Sequence, residues 1–553
     1  MLLHVFAALL LAYVLKRLLA IYSSDYVVNK KLPKLITLFP FMSIRSVLIP
    51  PMPLFRHYGI SSTWSKRNSI YRHAHLKTII QAPFLYGKPS VLTSSVEGIR
   101  QIAALNGGFG RTDDANGTKD LCLLGLNLIG AEGEQWRRHR RICSPAFNRN
   151  TYRGVWDSTV KVYEEMIDKE GWDSVQTTGV VNVNSITHKL ALFIIAINGF
   201  GMSMTWEEQK RDSQNMMTLQ EVIYMVSSHI FERSRTPKLL YAIGLPFFKR
   251  LDEAYTTFDM VMREKIKQRE DELTILRATP GVTENEIGDL ARDVFGCLVN
   301  SRMGASEGRV SMSDDEIISN CFGFMFAGHE TTANTLAATM GMLAVYPEAQ
   351  EYVYRGIVDV LGDREPTFDD FDSLTVVQAC FLEGLRMFPS AFSLFRHAVR
   401  DATLNIPCAD DPSSTETIHI KKGTSVSGDF IGLSYDPEVF SEPNDFNPRR
   451  WLEKERSPFT DEKQADEDPT RGSADTIDGF MNFSIGPRQC IGHKFAKIEA
   501  VAFLTHLLRS WRIIPVLRPS ETHQGWRARV LEPHFVMTLT LGNVPVKFTH
   551  RTS

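Results

Sequence analysis

Cysteine is scarce in this chain: seven residues in 553, at positions 122, 143, 297, 321, 380, 408 and 490, with no CxxC pair and no regular spacing. That excludes a zinc ribbon and a disulfide framework, and it fits a reducing compartment for the main body. An excess of one charge is missing too. The 62 Lys and Arg offset 64 Asp and Glu, a formal charge of −2, so no global field favours nucleic acid or another polyanion. No Gly-rich flavin or nicotinamide fingerprint occurs, which leaves no reductase domain within the chain. Internal repeats and a second linker are absent after about residue 60. What is there, 43% apolar and 23% charged residues, is the composition of a globular protein with a large core.

The longest apolar run opens the chain. Leu2 to Val14, LLHVFAALLLAYV, is followed by Lys16 and Arg17 and then by LLAIY. A secretory signal carries its positive charge before the apolar stretch, whereas here the charge comes after it. Residues 1–22 are therefore expected to be an N-terminal membrane anchor, with Lys16 and Arg17 reaching toward headgroups. Lys30, Lys31 and Lys34 follow, and the positive-inside rule then puts the body on the cytosolic side. Pro33, Pro40, Pro50, Pro51 and Pro53 mark residues 23–59 as a stiff hinge, whose apolar part at 35–55 would rest on the bilayer. Residues 60–553 read as one body. Two polar insertions, CADDPSSTET at 408–417 and the acidic stretch at 453–476, read as solvated loops.

The body is helix-dominant. Ser313 and Glu316 form a capping box, and the helix they open runs through IISNCFGFMFAGHETTANTLAATMGMLAVY until Pro347 stops it. Apolar positions nearly all round send this helix through the middle of the molecule. Segments 391–407 and 417–430 alternate and carry β-branched residues, so they are expected to be strands. The predicted class is mainly α with small β-sheets (α+β).

One short stretch carries the chemistry: FSIGPRQCIG, residues 483–492. Two glycines and a proline force a tight backbone path around Cys490, and IGHKFAKIEAVAFLTHLL downstream reads as a helix. A thiol just before a helix N-terminus is favoured as thiolate, the form that binds metal. A lone thiolate cannot hold zinc, but it can hold a haem iron from one side, because the porphyrin supplies the equatorial ligands. The stretch resembles the haem-binding signature of the cytochrome P450 family, Phe-x-x-Gly-x-Arg-x-Cys-x-Gly. Phe483, Gly486, Arg488, Cys490 and Gly492 are all in register.

Four further motifs follow the family's order, and the resemblance covers the chain from about residue 60. Ala327-Gly328-His329-Glu330-Thr331 matches the family's Ala/Gly-Gly-x-Asp/Glu-Thr, which implies Thr331 in oxygen activation and Glu330 in proton supply. The Ala-Gly pair would let the helix approach the iron or bulge to admit dioxygen and water. EGLRMFP and FNPRRW imply a buried structural network of Glu383, Arg386 and Arg450. EQWRRHRR implies Trp136 and Arg140 against a haem propionate, and Arg396 falls where another propionate ligand is expected. Arg488 would pair with a propionate as well. Arg137, Arg138, Arg140, Arg141, Lys494 and Lys497 are expected to face a reductase.

The resemblance implies a P450 fold, with haem b between the long helix and the Cys490 loop. It also implies a monooxygenase acting on a lipophilic small molecule, with electrons from NADPH through a separate cytochrome P450 reductase at the endoplasmic reticulum. The style of the chain suggests secondary metabolism, for example of terpenoids. A haem-thiolate isomerase or dehydratase and a non-catalytic haem module are the competing readings. The Glu330-Thr331 pair argues against both. By analogy the pocket would be lined by Phe109–Leu128, Val222–Ile230, Met325, Phe326 and Ala327, and closed by Ala391–Ser393 and Val530–Pro533. LLYAIGLPFF at 239–248 would be a membrane-facing access loop, and NGT at Asn116, on a cytosolic body, an unused glycosylation acceptor.

Overall fold

The computed structural model describes residues 2–22, 27–28, 32–40, 61–111, 118–207, 211, 216–281, 283, 293–303, 311–408, 411, 413–452, 477, 479–535 and 537–551. The insertion at 453–476, Asn116 and residues 23–26, 29–31 and 41–59 of the expected hinge lie outside them.

Among the described residues, the helices that organise the chain include α1 Leu2–Tyr22, α2 Gly133–Cys143, α3 Arg149–Lys169, α4 Val183–Phe200, α5 Leu219–Ser228, α6 Pro246–Ala278, α7 Asp314–Val345, α8 Pro347–Leu361, α9 Thr375–Met387 and α10 His493–Ser510. The expected class holds, with small sheets beside a helical body. α7 starts at the expected capping box: Ser313 Oγ accepts from the Glu316 N–H at 3.3 Å, and Glu316 Oε2 accepts from the Ser313 N–H at 3.0 Å. α7 is buried from Ile317 to Phe326 and again from Thr332 to Val345. Between these stretches Ala327, Gly328, Glu330 and Thr331 are only partly covered, so the helix meets open space at the predicted motif. The helix is continuous there. A Cβ on Gly328 would lie 3.1 Å from Ile195, so this glycine allows the close contact with α4. α4 is long and apolar enough to span a membrane, but 72% of it is buried against α7 and its neighbours, as in a core helix.

The main sheet has six strands in the order β2 (Lys34–Thr37), β3 (Thr78–Pro83), β4 (Ser90–Thr93), β10 (Ser425–Asp429), β7 (Ser393–Ala398) and β5 (Phe109–Gly110). Register sets Arg396 opposite Val426, and Gly110 opposite His397. A second sheet pairs β1 (Val27–Val28) with β9 (Thr415–Ile420) and β9 with β8 (Ala402–Pro407). Two expectations change here. Within the expected hinge, Val27–Val28 and Lys34–Thr37 are sheet strands, and Leu32 and Phe39 are buried. The 408–417 insertion is the turn of the β8–β9 hairpin, and its last three residues already belong to β9.

α1 leaves Val5, Phe6, Leu9, Leu10, Leu11, Leu15 and Leu19 exposed. Arg17 does not snorkel as expected: it donates to the carbonyls of Phe84 at 2.7 Å and Gly87 at 3.0 Å, and Tyr13 donates to that of Leu85. The 239–248 segment is exposed as well, with Leu239 at 70% and Ile243 at 60%.

Candidate active site

The Cys490 loop is built by its own backbone. Ser484 and Gly486 take left-handed conformations (φ 61° and 67°), Pro487 starts a single 3-10 turn, and the chain folds back so that the Cys490 N–H donates to the Phe483 carbonyl at 2.8 Å. That bond gives the upstream aromatic its place, since Phe483 closes the loop through its main chain. Gly492 is the N-cap of α10, and its N–H pulls the thiol toward thiolate, as does Arg140. Burial outweighs both and pushes the Cys490 thiol up, the opposite of the low value expected from its helix position alone. Cys490 keeps exposed surface as a residue, although its thiol is desolvated by the surrounding protein. Within 4 Å a Cβ on Gly492 would meet only the Phe147 ring, at 3.9 Å, so the loop leaves room for a flat partner.

Beside the loop lies a cavity of about 200 Å³ lined by Arg111, Trp136, Arg137, Arg396, Arg488 and Glu132 among others. Arg488 stacks its guanidinium over the Trp136 ring at 4.4 Å, and its buried Nη1 finds no hydrogen-bond partner among the described residues. Desolvation first, then Arg111 and Arg488, lower Arg396 to about 9; desolvation and then Arg111 lower Arg488 to about 10. Among the described residues Glu132 is the one carboxylate on this wall, and it also accepts the Arg111 N–H at 2.6 Å. Three guanidiniums pressed together with an orphaned donor are poised for anions. Haem b presents two carboxylates, so the residues fit it. Arg111 was missed in the sequence: it adjoins Arg396 through β5–β7 pairing, which local spacing does not show. Trp136 meets Arg488 instead of presenting its own edge alone, and Arg140 donates to the Gln489 carbonyl at 3.2 Å, beside Cys490.

On α7, Thr331 Oγ1 donates to the Ala327 carbonyl at 2.7 Å, and Glu330 accepts from Thr538 at 3.0 Å. Burial raises Glu330 to about 7, with Thr538 and Thr540 pulling the other way. Glu330 and His329 also line a half-open crevice of about 810 Å³ between α4, α5, α7 and the C-terminal hairpin. Of the expected pocket residues, Tyr224, Ser227, Ser228, Ile230 and Phe326 line it, whereas Met325 is fully buried and Phe109 belongs to the arginine cavity.

Glu383, Arg386 and Arg450 come together as expected. Glu383 and Arg386 have no exposed surface and share two 2.9 Å bonds, and Arg450 Nε reaches Glu383 at 3.1 Å. Trp451 Nε1, which sequence reading missed, donates to Glu383 at 3.0 Å. Gly384 is required by packing: a Cβ there would overlap Thr339 of α7. The basic face is smaller than expected. Lys497 is buried, and Arg138 is taken by Glu316 and the Ser311 carbonyl.

A cysteine loop flanked by an arginine-rich cavity, together with a long helix carrying an acid-hydroxyl pair, suits a haem-thiolate protein of mainly α class. The chain belongs to the cytochrome P450 family, whose profile (Cytochrome P450) matches residues 48–533. It is similar to "Cytochrome P450 monooxygenase 124" of Postia placenta, 31% identical over 78% of each chain. It is also similar to human "Cytochrome P450 4F12", 26% identical over 71% of this chain and 69% of that one. Its fold matches the "Crystal structure of a Cytochrome P450 (CYP102L1)" with a TM-score of 0.64, at 18% identity, over 89% of this chain and 98% of that one. The protein is a P450 monooxygenase. Membership implies haem iron held by a cysteine thiolate, a lipophilic substrate and a redox partner.

Proposed function

We propose that Cys490 would supply the thiolate that holds the haem iron, that Arg111, Arg396 and Arg488 would hold the haem carboxylates, and that the enzyme oxygenates a lipophilic secondary metabolite, such as a terpenoid. The observation that carries this reading is the Cys490 loop beside the three-arginine cavity. Haem, when bound, supplies the iron centre at which dioxygen is reduced, one atom going to substrate and one to water. Around it the chain's own residues have distinct tasks. Thr331 and Glu330 move protons, Trp136 and Arg140 hold the arginine wall and the Cys490 loop, and Phe483, Gly486 and Gly492 shape that loop. Glu383, Arg386 and Arg450 lock the framework behind it.

Residues 1–22 serve as the anchor and residues 60–553 as the catalytic domain, at the endoplasmic reticulum with the body in the cytosol. The exposed apolar surfaces of α1 and of residues 239–248 support that orientation. Electrons come from a separate NADPH-cytochrome P450 reductase, since the chain has no flavin or nicotinamide fingerprint. Exposed Arg137 and Arg141 offer it a basic approach.

The test is turnover in membranes with a reductase under isotope-labelled dioxygen, using panels of terpenoids, steroids, fatty acids and aromatics. A labelled product absent with Cys490→Ala is the expected result. A Cys490-dependent product that never carries label would move the enzyme to rearrangement or dehydration.

A further inference from the structure

The C-terminal hairpin, β12 (His534–Phe535) and β13 (Leu539–Thr540), brings two hydroxyls to α7. Thr538, Leu539 and Thr540 alternate as a strand does: Leu539 is buried, and the two threonines flanking it share the other side. Thr538 Oγ1 lies 3.0 Å from Glu330 Oε1, and Thr540 Oγ1 lies 3.0 Å from Thr538 Oγ1. A carboxylate can only accept, so the single Thr538 hydroxyl proton goes to Glu330 and the proton between the two hydroxyls belongs to Thr540. Asn334 Nδ2 steadies the pair at 3.4 and 3.5 Å while donating to the Glu330 carbonyl at 2.9 Å. The hairpin's register against α7 is pinned by Ser390. Its carbonyl accepts the Leu539 N–H at 3.0 Å, and its hydroxyl donates to the Thr331 carbonyl at 3.1 Å.

Thr538 is 4% exposed, whereas Glu330 borders the crevice, whose mouth includes exposed Ser185 and Tyr224. We propose that Thr538, backed by Thr540 and Asn334, is a positioning residue that holds the Glu330 carboxyl at the wall of this crevice, where solvent water restores each proton that Glu330 gives up. One proton leaves the carboxyl toward the Cys490 side of α7, and one enters from crevice water. The inference rests on the reading of Glu330 as proton supplier.

The other titratable groups facing the crevice are His188 and Lys189 from α4, Glu221 and Tyr224 from α5, His329 from α7 and His534 from the hairpin. His188 Nδ1 and His329 Nε2 lie 3.1 Å apart, and burial lowers both rings, so this pair is neutral near pH 7. Glu221 is neutralised by Arg211, and Lys189 donates to the Trp206 carbonyl. The Thr538 and Thr540 hydroxyls are thus the groups that draw Glu330 toward its ionised form.

The test follows the Glu330 carboxyl by infrared difference titration of the haem-loaded full chain, with Glu330→Gln to assign the band. Thr538→Val removes the donor at constant shape, and the titration is expected to move up by about 1 to 2 pH units. The Glu330-dependent limb of the turnover profile should move with it, with kcat changed more than KM. Thr538→Ser should restore the original titration. Thr540→Val should shift it the same way by less, and it carries the test if Thr538→Val fails to fold. An unmoved band in a folded Thr538→Val chain would overturn the proposal. Turnover undiminished by Glu330→Gln would instead remove the proton-supply reading beneath it, and that result is seen independently of the band.

Discussion

The Glu383 cluster and the Arg111–Arg396–Arg488 cluster both bury guanidinium groups, but they complete them differently. Around Glu383 the donors are used: Arg386 bonds the carboxylate twice and reaches the carbonyls of Ser434 and Pro443 at 2.7 and 2.9 Å, and Arg450, Trp451 and the Asn447 N–H fill the remaining acceptor positions. Each partner there is protein. Among the described residues, three cations of the second cluster share one Glu132, and Arg488 keeps a buried donor without a hydrogen-bond partner. A protein tolerates such repulsion when function requires it, because unpaired buried charge costs stability. The first cluster is framework, and the second is the one proposed above as the socket for the haem carboxylates.

The largest effect should come from breaking the closed cluster. Glu383→Ala strands two arginines in a region without solvent, and a loss of about 3–5 kcal/mol is expected in denaturant unfolding followed by haem absorbance. A loss below about 1 kcal/mol would reduce the cluster to the energetics of a surface pair and dissolve the contrast.

The open cluster should respond in the opposite sense. Arg488→Leu or Arg396→Leu relieves repulsion, so the haem-free chain should unfold no more easily than the parent. Haem affinity should fall about 10- to 100-fold for each lost charge-assisted bond of about 1.5–3 kcal/mol. Haem titration by absorbance and unfolding of the haem-free chain separate the two quantities. If stability falls and affinity holds, the socket is framework after all.

The contrast explains what was legible beforehand. Cys490, Arg488, Glu383 and Arg386 lie within motifs of fixed short spacing, and a loop or one helical turn converts that spacing directly into geometry. α7 was legible for the same reason, as its capping box and apolar run are local. Arg111, Trp451 and Thr538 were not, because each reaches its partner through strand register or packing between distant segments. Thr538 and Glu330 are 208 residues apart. Lys497 failed in reverse: its motif neighbours suggested a surface, but α10 turns it inward. The hinge failed because prolines mark stiffness and give no information on pairing partners, which lie at Thr78–Pro83 and Thr415–Ile420.

A third cluster calibrates the scale between these two. At the start of α7, Glu316 takes Arg138 and the Ser313 N–H beside buried His139. Burial pushes Glu316 up, but Arg138, the Ser313 N–H and His139 together hold it below its usual value. A carboxyl lowered on folding stabilises the protein above its unfolded value of about 4.3, and that contribution is lost as pH falls through the folded value. Glu316→Gln can keep the bond to Ser313 while losing the ion pair with a partly exposed arginine. The expected cost at pH 7 is therefore small, about 1 kcal/mol or less. Unfolding curves of parent and variant should converge as the pH is taken down from about 4.3. A gap that persists in acid would mean that Glu316 acts through its hydrogen bonds alone, and that charge in this protein matters only where water is fully excluded.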